Sequence, residues 1–379
     1  MPEARTRPAW AEVDLDAITA NTRAVAALVA PSQVCAVVKA NGYGHGADDA
    51  ARASLRGGAT RLGVALAEEG VALRKAGIDA PVLLLSQPSA AAMADVVRYD
   101  LTPTIYSPRA IGVLAAAAKR RGVTVPVHVK VDTGMHRVGA EPDAAVELAV
   151  RIAQTDGLDL EGFYTHLAVS EDLARRDVTE AALDRFDATV EKLGAQGVTP
   201  RVLHAANSGG ALGHARSRYD MVRVGIAVYG YAPGPDLAGA LPLTPAMQLK
   251  ARVTHVQRLA AGEGISYGLR YVTPQSTVVA TLPLGYADGV PRALSAAGAC
   301  VLVNGSKRPI AGTITMDQLM VDCGSDSTVE PGDEVVLLGT QGDESITAED
   351  WAQRLGTISY EVLCGIGPRV PRRPHGAHE

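Results

Sequence analysis

The sequence predicts an α/β protein, with an N-terminal (β/α)8 barrel of the TIM type followed by a mainly β C-terminal domain. Three observations predict it. Over the first part of the chain, short apolar runs alternate with longer amphipathic stretches, the pattern of parallel βαβ units. The runs number eight, which suits a closed barrel better than the competing arrangement, an open doubly wound sheet. After Pro233-Gly234-Pro235 the pattern changes to apolar–polar alternation, the mark of half-buried antiparallel strands. At 379 residues and 47% apolar content the chain can bury a sizeable core and exceeds the usual single domain. The division expected is 11–240 for the barrel and 241–379 for the β domain, with residues 1–10 a candidate addition to the latter.

In order, the barrel strands are expected at Val34–Lys39, Leu62–Leu66, Pro81–Ser86, Leu101–Ile105, Pro126–Asp132, Leu160–His166, Arg201–Ala205 and Met221–Gly225. Each is a short apolar run bounded by turn residues. Helical patterns fall between them, as at Arg109–Arg121, Ala144–Thr155 and Glu180–Gln196, with stop signals at Gly122, Gly157 and Gly197. In the second domain the stretch from Met247 to Val256 alternates, and so does the stretch from Trp10 to Leu15. Further strands are expected at Ser276–Leu282, Cys300–Val303, Ile310–Ile314, Leu319–Cys323 and Glu334–Leu338, with turns at Asn304-Gly305 and Pro331-Gly332.

Composition excludes several classes. A formal net charge of -5 leaves no basic footprint, so nucleic acid is not an expected partner. Cys35, Cys300, Cys323 and Cys364 are far apart and form no Cys-x-x-Cys pair, which disfavours zinc and disulfides and suits a reducing compartment. His45, His136, His204, His214 and His255 show no metal-ligand spacing, so no metal is expected. The first residues lack the apolar core of a signal peptide, and no run approaches the roughly 18 apolar residues of a membrane span. A cytoplasmic protein without a membrane partner is expected.

The candidate chemistry starts at Lys39. A buried strand delivers this lysine to a loop holding Tyr43, His45 and three glycines. Lysine is rarely buried without a partner, and desolvation makes its amine nucleophilic enough to hold an aldehyde as a Schiff base. The alternative is a lysine that ends a strand and points to water. Barrel active sites lie at the C-terminal ends of the strands. There the pattern gathers Lys39, then Lys130, Asp132, Met135, His136 and Arg137 after the fifth strand, and His166 after the sixth. Asn207, Ser208, Gly209 and Gly210 follow the seventh, and Arg223, Gly225 and Ile226 belong to the eighth. The last two loops offer backbone N–H groups, a hydroxyl and no bulk, which is what a phosphate needs. With Lys39 they suggest pyridoxal 5'-phosphate, an aldehyde with a phosphate arm. In the second domain, Tyr267 and Tyr286 lie in loops; they could instead pack on a domain interface. Tyrosine acts as a base only where a nearby cation lowers its phenol pKa.

Taken together, these residues resemble the bacterial alanine racemases. The motifs are Ala36–Gly46 around Lys39, Lys130–Gly139, Tyr164–His166, His204–Ser208, Val222–Gly230, Ser266–Gly268, Gly285–Gly289, Thr315–Gln318 and Tyr360–Arg369. They occur in the family's order and span nearly the whole chain. Asn41 and Thr315 depart mildly from the family pattern, which often has Asp and Cys there.

The resemblance implies a two-base racemisation of alanine that supplies D-alanine for the cell wall. Lys39 would anchor the cofactor and act as one base, and Tyr267, from the partner subunit of a homodimer, as the other. Arg223 would contact the pyridine nitrogen, oriented by His166. Arg137 would contact the cofactor's phenolic oxygen and the substrate carboxylate. Lys130 occupies the position that is often carbamylated, where a carbamate would face Arg137. Tyr43, Ser208, Gly225, Ile226 and Tyr360 would hold the phosphate, while the partner's copies of Met316, Tyr286 and Asp317 would line the substrate end. Rival expectations are a decarboxylase of the same barrel class, a racemase of serine or another small amino acid, and a small cofactor carrier; the full β domain argues against the last.

Overall fold

The computed structural model describes residues 7–376. Residues 1–6, part of the stretch scanned for a signal peptide and of the candidate addition to the β domain, lie outside the described residues, as do 377–379. The chain forms two compact units: Asp16–Thr244, and Pro245 onward together with the chain up to Leu15.

The first unit is an eight-stranded parallel barrel. Its strands are β1 (Gln33–Val37), β2 (Arg61–Val64), β3 (Val82–Leu84), β4 (Thr104–Ile105), β5 (Val125–Lys130), β6 (Leu158–Tyr164), β7 (Val202–His204) and β8 (Met221–Val224). They pair in the orders β3-β2-β1-β8 and β4-β5-β6-β7. Backbone hydrogen bonds close both seams: Leu84 to Thr102 and Thr102 to Val82 on one side, Asp220 to Leu203 and Arg223 to Ala206 on the other. An apolar cluster of Cys35, Leu83, Val202 and Met221 fills part of the interior.

Each strand differs by a residue or more from its expected bounds, and three of the differences bear on the site. The first strand stops at Val37, because Ala40 to Gly44 all adopt positive φ and turn the chain sharply. The fourth shrinks to Thr104–Ile105, since Pro103 has no N–H to give a neighbour. The sixth ends at Tyr164, leaving His166 in the loop beyond it.

In the second unit, Ala9–Asp14 lies between Met247–Arg252, antiparallel, and Arg372–His375, parallel. That sheet continues through Glu334–Gln341, Cys300–Val303 and Ser306–Pro309. His255–Leu259, Thr277–Leu282 and Leu319–Gly324 form a second, antiparallel sheet. Asn304 and Gly305, with φ of 51° and 74°, make the tight hairpin turn that their sequence signals. The expected strand Ile310–Ile314 does not form. The polar segment Ser306–Pro309 takes the place beside Cys300–Val303, and Ile310 keeps one isolated bridge to Val321 before Gly312 bends away at φ 77°. The alternating stretch from Met247 splits into two strands at Val253-Thr254, which serve different sheets. Among the described residues no helix is long and apolar enough to cross a membrane.

Within the barrel, His128 of β5 pairs with Gly162 of β6 at an irregularity in the ladder. A Cβ on Gly162 would meet the His128 Nδ1 at 2.2 Å. Gly162→Ala is therefore expected to cost about 2 kcal/mol by overpacking, read as a lower thermal midpoint. Gly194→Ala is the control: it lies in the helix Arg176–Ala195 with nothing within 4 Å, and should not destabilise.

Candidate active site

The turn after β1 presents Lys39. Ala40, Asn41, Gly42, Tyr43 and Gly44 have φ between 51° and 85°, a left-handed run costly for the residues that carry a Cβ. It is pinned from outside: Glu69 accepts the Ala40 N–H at 2.7 Å through one oxygen and those of Ala65 and Leu66 through the other. Glu69 was not singled out from the sequence. Its only signal there was its place in the first turn of a helix.

Around this turn the barrel brings together four cations. Lys130 is buried, and desolvation lowers its pKa to about 7, with the nearby positive charges of Arg223, Arg137 and Lys39 adding to the effect. Desolvation and then Arg223, Lys130, Arg137 and Lys39 hold His166 well below the usual histidine range. The carboxylate that opposes them is Asp132, and it is already engaged. Its Oδ1 accepts the N–H groups of Gly134, Met135 and His136 at 2.9–3.1 Å. Burial works against its ionisation, but those bonds hold its pKa below the ordinary value. They also shape the loop that leaves Arg137 exposed. Beneath the cations lies Tyr164, fully buried, with its ring 5.4 Å from Lys130 Nζ and 4.9 Å from Arg223 Cζ.

The lowered pKa of Lys130 has a thermodynamic consequence. The unfolded chain holds the proton up to about 10.5, the folded chain only to about 7, so between those values the unfolded state binds more protons. Stability should therefore rise with pH across that window. In Lys130→Met that contribution should vanish, measured as denaturant midpoints at about pH 7.5 and about pH 9.5. An identical pH dependence in both proteins would contradict the low pKa.

Arg223, 3% exposed, is held by its donors to His204 Nδ1 (2.8 Å), Thr165 O (2.9 Å), Ala205 O (3.0 Å) and His166 Nδ1 (3.2 Å). Beside it, Tyr43, Ser208 and Gly225 meet at one point. The Gly225 N–H donates to Ser208 Oγ at 3.1 Å, and a Cβ on Gly225 would meet Tyr43 Oη at 2.3 Å. Tyr43 in turn stacks on Tyr229 at 4.9 Å. The loops do not leave all their backbone donors open, as the sequence reading had it: Gly225 is taken by Ser208, and Gly210 by Asn207 Oδ1. Ser208, accepting from Gly225, keeps its own hydroxyl hydrogen to donate. Ile226, fully buried, opens the short helical turn after Gly225.

The second unit groups its own candidates along one segment. Thr313 Oγ1 donates to Tyr267 O at 2.9 Å and Ser266 Oγ to Thr313 O at 2.7 Å, so the Tyr267 loop is tied to the segment leading to Met316. The N–H groups of Tyr286 and Ala287 donate to Thr315 O and Met316 O. Asp317 receives Arg369 at 2.6 Å. Tyr267 is 75% exposed and Met316 53%, and Tyr286 and Leu269 are also exposed. Tyr360 lies half-buried in the helix Ser359–Gly365. Among the described residues no group of His, Cys, Asp or Glu could hold a metal ion, and the four cysteines are unbridged.

An amine among cations, whose opposing carboxylate is spent on backbone, is a donor set for a multiply anionic aldehyde. The glycine at 225 lets the Tyr43 hydroxyl come close to the backbone beside Ser208 Oγ, which sets two hydroxyls together as donors suited to a phosphate. The residues present thus fit pyridoxal phosphate.

Comparison with known proteins divides along the same two units. Residues 13–233 match the family model described as alanine racemase, N-terminal domain, and residues 246–374 that of the C-terminal domain. The chain is 46% identical over 366 residues to the alanine racemase of Symbiobacterium thermophilum, covering 97% of each. It superposes on alanine racemase from the D-cycloserine-producing Streptomyces lavendulae with a TM-score of 0.92 at 40% identity, covering 98% of both chains. Histidine racemase from Leuconostoc mesenteroides subsp. sake is also similar, with a TM-score of 0.90 at 28% identity, covering 98% of this chain and 99% of that one. With both domains matched in order and along nearly its full length, this chain belongs to the alanine racemase family.

Proposed function

We propose that the protein is a pyridoxal-phosphate-dependent racemase that interconverts L- and D-alanine, working as a homodimer whose sites are shared between subunits. The observation that carries this reading is the gathering of Lys39 with Lys130, Arg137 and Arg223 at the barrel mouth. When bound, pyridoxal phosphate supplies an aldehyde for the amine and a conjugated ring that draws charge from the substrate Cα.

This chain's residues do the rest. Lys39 anchors the cofactor, then moves the proton on one face of Cα. Tyr43, Ser208, Gly225, Ile226 and Tyr360 hold the phosphate. Arg223 can only donate, so it would hold a ring nitrogen in its unprotonated form, and the ring would then be a moderate electron sink. His166, 3.2 Å from Arg223, helps fix that guanidinium. Arg137 takes the substrate carboxylate and the cofactor's phenolic oxygen. Lys130, whose amine is half neutral near pH 7, can take up carbon dioxide as a carbamate that pairs with Arg137. Tyr267 from the second subunit moves the proton on the opposite face, which inversion requires. The second subunit's Met316, Tyr286 and Asp317 narrow the substrate end to a methyl side chain. The exposed apolar edge of Tyr267, Leu269, Tyr286 and Met316 suits burial against a second copy.

Turnover of a panel of L-amino acids, with chiral detection and an absorbance spectrum, tests the reading. Alanine should be racemised fastest and a band near the visible edge should be present. The panel includes serine and histidine, because the fold is shared with a histidine racemase. Carbon dioxide release without D-product would point to a decarboxylase instead.

A further inference from the structure

Barrels of this kind are ordinarily filled by layers of apolar side chains. This one carries a file of polar groups through its interior, contributed by five strands. Arg223 of β8 donates to His204 Nδ1 of β7. His204 Nε2 is 2.8 Å from His128 Nδ1 of β5. His128 Nε2 is 3.0 Å from Glu161 Oε2 of β6. Arg61, the first residue of β2, clamps Glu161 with both guanidinium nitrogens at 2.9 and 2.7 Å.

Only one placement of hydrogens satisfies this file. Arginine has donors alone, so His204 Nδ1 accepts and the neutral ring carries its hydrogen on Nε2. That hydrogen goes to His128 Nδ1, which leaves His128 with its own hydrogen on Nε2, donated to Glu161. Desolvation keeps both imidazoles below the usual histidine range, so they are neutral. Burial opposes the charge on Glu161, but the bonds from His128 and Arg61 hold its pKa at about 2. Both rings are fully buried, so water offers no alternative partner. The geometry is built for this: Gly162 makes room for the His128 ring, and His204 stacks on Tyr164 at 4.3 Å and 9°.

We propose that Glu161, clamped by Arg61, is a positioning residue that acts through His128 and His204 to hold a hydrogen-bond acceptor in place against Arg223. Reversing both imidazoles would set an N–H of His204 against an N–H of Arg223, and the carboxylate at the far end forbids that state because it can only accept. The consequence for catalysis rests on the reading of Arg223 as the partner of the cofactor ring; the hydrogen placement does not.

The test uses full-length holoenzyme with 15N-labelled histidine, its signals assigned by single replacements. In the wild type, His128 and His204 should both be neutral with hydrogen on Nε2. In Glu161→Gln the shape is kept, but Arg61 draws the amide oxygen and turns the NH2 toward His128 Nε2, against the placement that Arg223 requires, so mixed tautomers are expected. The kcat for alanine should fall about tenfold with KM unchanged. Should the single variant fail to fold because Arg61 is left unpaired, the double variant R61M/E161Q removes that cation and frees the amide oxygen for His128, so hydrogen on Nε2 of both rings and most of kcat should return; mixed tautomers there would overturn the proposal. Hydrogen on Nδ1 of either ring in the wild type would overturn the proposal, and so would Glu161→Gln with unchanged tautomers or unchanged kcat. If the enzyme proved to run another reaction, the nitrogen spectra would still decide the hydrogen placement, which separates the two failures.

Discussion

Lys39→Ala is expected to abolish racemisation from both enantiomers, by about 10⁴-fold or more, because one group serves as anchor and base. The absorbance band near the visible edge should go with it. Lys39 is only half-buried, so the fold should survive. The substitution also removes one of the charges that depress Lys130, whose pKa should move back up. A variant retaining both the band and the activity would remove Lys39 from the centre of the mechanism.

For Tyr267→Phe a different signature is expected. The side chain is 75% exposed in the single chain, and its loop is tied down through backbone and Thr313 rather than through the phenol. Stability should hardly change, whereas racemisation should fall by about 10²–10⁴-fold, the usual worth of a positioned base. In heavy water, the enantiomer whose α-hydrogen lies on the Lys39 side should still exchange it without inverting. The other enantiomer should do neither. Equal, undiminished rates in both directions would dismiss the two-base scheme.

The sequence made visible whatever is carried by local pattern. The eight apolar runs lie at the barrel strands, and Lys39, Lys130, His166, Ser208 and Arg223 follow or end them in the order expected. What stayed hidden is what closure of the barrel creates. Arg61, His128, Glu161, His204 and Arg223 are separated by tens of residues and sit singly inside or at the ends of strands, where an isolated polar residue reads as an edge or a satisfied core group. Only the ring of strands sets them in file. Glu69 was missed for a like reason, since its bonds go to backbone atoms whose direction the sequence does not show. The expected strand at Ile310–Ile314 failed through pattern itself: apolar content suggested an extended run, but Gly312 turns where its φ of 77° and the carbonyl of Ile265 leave no space for a side chain.

The strand Ala9–Asp14 has a consequence for biosynthesis. It is synthesised ahead of both of its sheet neighbours, Met247–Arg252 and Arg372–His375, which come far later. At about 5–20 residues per second, the wait for the last neighbour is roughly 20–70 s. All eight barrel strands emerge meanwhile. The strand thus waits through synthesis of the whole barrel as an unpaired apolar–polar ribbon, and a nascent-chain chaperone would have to shelter it until its neighbours arrive.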